Sequence, residues 1–187
     1  LQPTTGTLEI NGQHIGPATK AQVSYLPDRM YFADWMKATD LFDLFRDFYQ
    51  DFDYDKALAM CRSLGVEPKD RLKSMSKGTK EKVQLVLVMA RKAQLYLLDE
   101  PIAGVDPAAR DFILHTILTN YNEDGTVLIS THLIADIEKV LDEVIFLKSG
   151  RIMLHSTVDD IRERQGKSVD ALFREIFKAQ PLEGGLY

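Results

Sequence analysis

Leu95-Tyr96-Leu97-Leu98-Asp99-Glu100-Pro101, with Ala103-Gly104-Val105-Asp106 close behind, is the stretch on which the fold turns. Four apolar residues and then two carboxylates predict a strand buried on both faces that delivers its acids to solvent at its C-terminal edge. That edge is where α/β sheets keep their chemistry. An aspartate closing such a strand suits a hard cation such as Mg2+, which takes oxygen ligands and keeps several waters. A carboxylate beside it suits work on a water attacking a phosphate. Asp99 is the candidate metal ligand and Glu100 the candidate catalytic group. Both also suit a plain strand end, with Pro101 breaking the backbone pattern, so the flanking sequence decides.

Immediately upstream, Met75-Ser76-Lys77-Gly78-Thr79 precedes a long helical pattern through Lys92, with Val83, Val86, Leu87 and Ala90 on one face. Free amides at a helix N-terminus, beside residues with little or no side chain, make a ready anion site. On its own the run reads equally as an N-cap with a flexible lead-in. Its place just before the 95–100 strand gives it meaning, because the two form a tight αβ unit. Downstream, Asp106 and Pro107 predict an N-cap and first helical residue, with Phe112, Ile113, Ile117 and Leu118 as the buried stripe. Asp124-Gly125 then turns the chain into Thr126–Ser130, a second buried parallel strand ending at Thr131-His132. Parallel strand–helix–strand connections put His132 on the same sheet edge as Glu100.

The remainder fills out an α/β chain. Leu8 and Ile10 alternate with polar residues before Asn11-Gly12, which predicts a half-exposed antiparallel strand and a tight turn. Gln22–Leu26 is a short strand ended by Pro27-Asp28. From Lys37 to Leu64 the pattern is helical, in two pieces separated by an acidic turn, with Gly65 as C-cap. Asp47, Asp51, Asp53 and Asp55 read as a partner-docking surface or as a solvated corner whose acids favour the helix start. Tyr31, Phe32, Trp35 and Met36 face a partner or join the core. After His132, Glu143–Lys148 and Arg151–Leu154 form a hairpin through Ser149-Gly150, followed by amphipathic helices at 158–164 and 169–178 and a tail at 181–187.

The 187 residues are 45% hydrophobic and 27% charged, enough for a real core. A net charge of −5 and a pI of about 5.4 offer nucleic acid or an anionic membrane no general attraction, so no nucleic-acid partner is expected. Cys61 stands alone, so no disulfide staples the chain and a reducing compartment is the simpler setting. Arg91, Lys92 and Gln94 interrupt the longest apolar stretch, and no signal peptide or membrane span is legible.

Taken together, these motifs resemble the ATP-binding subunits of ABC transporters. Met75–Thr79 is similar to the signature loop, Leu95–Glu100 to Walker B with its catalytic glutamate, Ala103–Asp106 to the D-loop and His132 to the switch histidine. Pro3–Gly12 resembles the segment following the phosphate-loop helix, and Val23–Asp28 the approach to the Q-loop. The resemblance implies a P-loop ABC-type ATPase domain: a mostly parallel sheet, antiparallel strands and an inserted helical subdomain. It divides the chain into antiparallel strands and Q-loop (1–30), helical subdomain with signature (31–80), catalytic α/β core (81–156) and C-terminal helices with tail (157–187).

The implied cofactors are ATP and Mg2+. Asp99 and Asp28 would bind the metal, and Glu100 and His132 would act in cis. Ser76, Lys77, Gly78, Thr79 and Asp106 would meet a nucleotide held mainly by a second ABC ATPase subunit. Transmembrane permease subunits would dock near Tyr31–Phe52, placing the chain on the cytoplasmic face of the membrane. Three features depart from the family pattern. No G-x-x-x-x-G-K-[ST] occurs, so the expectation is a chain truncated just after the phosphate loop and inactive by itself. Asp28 stands where the family usually has glutamine, and Lys77 and Thr79 replace glycine and glutamine of the signature. The alternatives are a non-catalytic partner domain and a non-transport member of the superfamily; the segment between Asp28 and Ser76 is too short for a long coiled-coil arm.

Overall fold

The computed structural model describes residues 4–178, which fall into two compact units, Leu1–Thr131 and His132–Tyr187. In the first, β1 (Glu9–Ile10) and β2 (Gln13–His14) pair as the predicted hairpin, with Asn11 and Gly12 at positive φ in the turn. The short α1 (Pro17–Ala21) leads into β3 (Val23–Leu26). Two helices follow, α2 (Ala38–Phe48) and α3 (Tyr54–Leu64), then α4 (Lys77–Met89), β4 (Leu95–Asp99), α5 (Pro107–Asn120) and β5 (Thr126–Ser130).

Strand β4 is the middle of a three-stranded parallel sheet ordered β3-β4-β5, with Leu26 opposite Leu98 and Asp99 opposite Ser130. The face bearing Ser24, Leu26, Tyr96 and Leu98 is buried, and Ser24 fixes α4 to it by donating to the Val88 carbonyl at 2.9 Å. Tyr96 is fully covered; its hydroxyl donates to the Arg91 carbonyl (2.6 Å) and accepts from the amides of Ala93 (3.2 Å) and Asn122 (3.1 Å). On the opposite face Tyr25 and Leu128 are 53% and 52% exposed. The expectation of strands buried on both faces therefore fails for β5 and for half of β4. Leu95 and Leu97 are only partly covered, and β5 is an edge strand.

Helices α3, α4 and α5 start where a side chain satisfies an orphan amide of the first turn. Asp53 accepts from the Lys56 amide at 2.8 Å, Ser76 from Thr79 at 3.1 Å and Asp106 from Ala108 at 2.9 Å. Helix α3 stops at Gly65, whose φ of 65° is the left-handed conformation expected of a C-cap glycine. Two boundaries and one stripe differ from expectation. Helix α4 begins at Lys77, which puts Gly78 inside its first turn, and ends at Met89 instead of Lys92, where the chain turns into the Arg91 joint. The buried stripe of α5 is Ile113, Leu114, Thr116 and Ile117, while Phe112 and Leu118 are exposed.

In the acidic run at 47–55, Asp47, Asp53 and Asp55 are exposed and Asp53 caps α3, as a solvated helix-start corner would have it, but Asp51 does something else. Asp51 is the counter-ion of Arg91, a side chain only 2% exposed, whose Nε and Nη2 donate to the two carboxylate oxygens at 3.0 Å each. Arg91 also donates to the carbonyls of Val23 (2.6 Å) and Ala21, and its guanidinium stacks 3.7 Å from the Tyr49 ring centre. Backbone bonds Asp53→Ala90 (2.8 Å) and Lys92→Asp51 (3.0 Å) complete a joint between the α2–α3 pair and the sheet.

In the second unit, α6 (Ile134–Ile137) precedes the antiparallel hairpin of β6 (Glu143–Lys148) and β7 (Arg151–Thr157), then α7 (Val158–Gln165) and α8 (Val169–Ile176). Its core is Ile134, Val144, Phe146, Val158, Ile161, Val169 and Leu172. The Glu138 carboxylate accepts from the Val169 and Asp170 amides and so caps α8. The tail expected at 181–187 lies outside the described residues. No helix among the described residues is long and apolar enough to cross a membrane.

Candidate functional site

A cleft of about 410 Å3 opens where β3 and β4 end, beside the first turn of α4. Its lining includes Asp28, Ser76, Lys77, Gly78, Thr79, Asp99, Glu100 and Asp106. Eight of the residues singled out from sequence thus line one cavity of the first unit. His132, the remaining one, is exposed and is the first residue of the second unit.

Asp99 ends β4, and the Ser130 hydroxyl donates to its Oδ1 at 2.6 Å from the opposed position on β5. Glu100 follows with φ of 49°, a left-handed conformation uncommon for a residue other than glycine. Two bonds to the end of β5 hold it there: its amide donates to the Ser130 carbonyl (2.9 Å), and the Thr131 hydroxyl donates to its Oε2 (3.0 Å). This twist turns the chain out of the sheet. Residues 100–105 then wind through amide bonds Ala103→Glu100 and Val105→Ile102, both 3.2 Å, to Asp106 at the head of α5.

The opposite rim is the start of α4. Ser76 caps it with its oxygen, and nothing lies within 4 Å of the place a Cβ on Gly78 would occupy, so the backbone there is open to a bulky anion. Of the nearby lysines, Lys80 is tied to Asp34 (2.6 Å) and Lys82 to the Leu64 carbonyl (3.0 Å). Lys77 extends into solvent, 3.7 Å from Glu81.

The donor set fits Mg2+ of the water-rich kind. Asp28, Asp99 and Glu100 supply oxygen ligands alone, and among the described residues no three His, Cys, Asp or Glu side chains converge on a ready-made cage. Such an ion would rest on one or two carboxylates and complete its shell with water and phosphate oxygens. Sequence reasoning missed Glu81, which lines the same cleft and has one oxygen, Oε2, buried without a hydrogen-bond partner. Its spacing of four from Lys77 on a helix is the signal that would have found it.

A family model described as ABC transporter matches residues 1–103, more than half of the chain. The chain belongs to the ABC transporter family, and its relatives are that family's ATP-binding proteins. An uncharacterized ABC transporter ATP-binding protein of Synechocystis is 28% identical over 86% of this chain and 48% of its own length. The ABC transporter ATP-binding protein YtrB of Bacillus subtilis is 28% identical over 85% of this chain and 56% of its own. The chain therefore spans about half the length of these curated relatives. Among solved structures, one described as an ATP-binding subunit of an ABC transporter matches 94% of this chain and 78% of its own with a TM-score of 0.78 and 28% identity. The α/β architecture, parallel sheet with antiparallel hairpins, is that of this ATPase fold.

Proposed function

We propose that this chain is the ATP-hydrolysing part of an ABC transporter subunit, bound to a second such subunit and to membrane-embedded permeases. The observation that carries the reading is the convergence of Asp99, Glu100 and Asp106 with Ser76–Thr79 around one cleft. Asp99 and Asp28 would hold Mg2+, which supplies charge neutralisation on phosphate oxygens when bound. Glu100 orients a water and accepts its proton. Ser76 and the open backbone at Gly78 accept phosphate oxygens at the head of α4, with Thr79 alongside, and Lys77 places positive charge beside them. Ser76 and Lys77 are exposed, which leaves them open to a nucleotide brought by a second subunit. Asp106, which heads α5, and His132, which opens the second unit, would sense that closure.

Exposed aromatic side chains favour the permease contact. Tyr31, Trp35 and Phe48 are exposed, Phe48 to 75%, on and beside α2. Phe32 and Met36, by contrast, are half-buried. Such a contact would hold the chain on the cytoplasmic face of the membrane. The finer division at residues 30, 80 and 156 belongs to this same proposal.

ATP turnover tests it. The 187-residue chain carries no G-x-x-x-x-G-K-[ST] and is expected to be silent by itself. It is compared with the protein as its gene encodes it, with and without Glu100→Gln. The encoded protein should hydrolyse ATP, and the substitution should reduce turnover by roughly 10²–10⁴-fold. Silence of the encoded protein would leave the chain a non-catalytic partner.

A further inference from the structure

Glu81 and Gly104 meet across the cleft in a contact that no motif explains. Glu81 is the fifth residue of α4, on the helix whose first turn is the Ser76–Thr79 rim. Gly104 lies in the 100–106 loop, the other rim. A Cβ added at Gly104 would stand 2.7 Å from Glu81 Oε2 and 2.8 Å from its Cδ, and closer still to Oε1. The glycine is therefore the form of residue 104 that lets the carboxylate lie flat against the loop. At the same time Oε2 is sealed from solvent with no hydrogen-bond partner, so on the Gly104 side packing holds the group, while Oε1 faces the exposed Lys77 at 3.7 Å. An unpartnered carboxylate oxygen is costly to bury and persists only where the surrounding structure requires it.

We infer that Glu81 is a positioning residue: through its contact with Gly104 it sets the height of the 100–106 loop on α4, and so fixes Glu100 and Asp106 relative to Ser76. A shift of α4 caused by whatever binds at its first turn is passed to the loop through the carboxylate that lies against a backbone without a side chain. This deepens the proposed ATPase reading and rests on it for its catalytic consequence. The mechanical part stands on packing alone.

The experiment uses two readouts. Amide hydrogen exchange is followed at 102–106 in the wild type, Glu81→Ala, Gly104→Ala and the double variant. Glu81→Ala should speed exchange at Ala103 to Asp106 about tenfold while Val83–Met89 stay protected. Gly104→Ala, which pushes the carboxylate aside, should match it, and the double variant should be no worse than either alone, because both remove one interaction. Glu81→Gln keeps the shape and should stay close to wild type, a control that also serves if Glu81→Ala does not fold.

In the protein as its gene encodes it, Glu81→Ala should lower kcat for ATP about tenfold with KM little changed, and Glu81→Gln should recover most of it. Unchanged exchange, or fully additive variants, would overturn the positioning role whatever the turnover shows. Altered exchange with unaltered kcat would overturn its catalytic consequence. A wild type without turnover would remove the ATPase reading, and with it the catalytic role, while the exchange data still report on the contact by itself.

Discussion

Two polar clusters lie within the first unit, and they are built to opposite rules. Arg91 is buried, and its guanidinium donates to both oxygens of Asp51 and to the carbonyls of Ala21 and Val23. Its face is covered by Tyr49. In the cleft, Asp28, Glu81, Asp99, Glu100 and Asp106 crowd five carboxyl groups around one cavity, with Lys77 and Lys82 as the cations of its lining. Asp99 and Glu100 there take hydroxyl donors from Ser130 and Thr131, while an oxygen of Glu81 takes none. A satisfied buried charge fixes one geometry. A crowd of partly hydrated acids instead keeps acceptor capacity in hand for a cation or a water, which is why the proposed chemistry is assigned to it.

The comparison is broken most forcefully at Arg91. Arg91→Ala would leave Asp51 without its counter-ion and two strand-leading carbonyls without donors, and should destabilise the first unit by about 3–5 kcal/mol. Denaturant unfolding of the chain measures it. A cost near zero would mean that the joint is carried by the backbone bonds Asp53→Ala90 and Lys92→Asp51 alone, and the contrast with the cleft would collapse.

A smaller effect sharpens it. Ser76 and Ser168 are both N-caps, accepting from the amides of Thr79 and Ala171 at 3.1 Å in each case. Ser76→Ala and Ser168→Ala should each cost about 1 kcal/mol of stability. Only Ser76→Ala should also lower ATP turnover by the encoded protein, because only Ser76 lines the cleft. Equal turnover in the two variants would make Ser76 a cap and nothing more.

Much of the cleft was legible because its chemistry is written in short runs. Asp99, Glu100 and Asp106 follow one strand, and Ser76–Thr79 start one helix, so local patterning is enough to find them. What escaped detection depends on pairs far apart in sequence. Asp51 and Arg91 are forty positions apart, and an arginine following Met89 and Ala90 reads as an interruption until the strand that needs its donors is placed beside it. Glu81 reads as a surface helix residue until Gly104 comes against it. The exposed Leu128 and Tyr25 escaped for a different reason: an apolar strand reads the same whether one face or both are covered. Phe112 and Leu118 share that ambiguity on α5, where helical spacing identifies a stripe but not its width.

Cys61 gives the finest measure of the difference between the two clusters. It sits on the inner face of α3, in the helical pair that Arg91 ties down, and is fully covered. Burial pushes its thiol up from 9.0 to about 11, with Glu67 adding to the rise and Arg62 opposing it. The folded chain thus favours the neutral thiol. Its contribution to stability is complete below pH 9.0 and is lost as the pH rises toward 11, since the unfolded chain ionises first. A thiol reagent at pH 8 should therefore label the native chain only through opening of the α2–α3 pair. Arg91→Ala should accelerate that labelling strongly and Glu100→Gln should leave it unchanged. If both variants label alike, the helical pair and the cleft open as one cooperative unit, and the two clusters differ in chemistry without differing in mechanics.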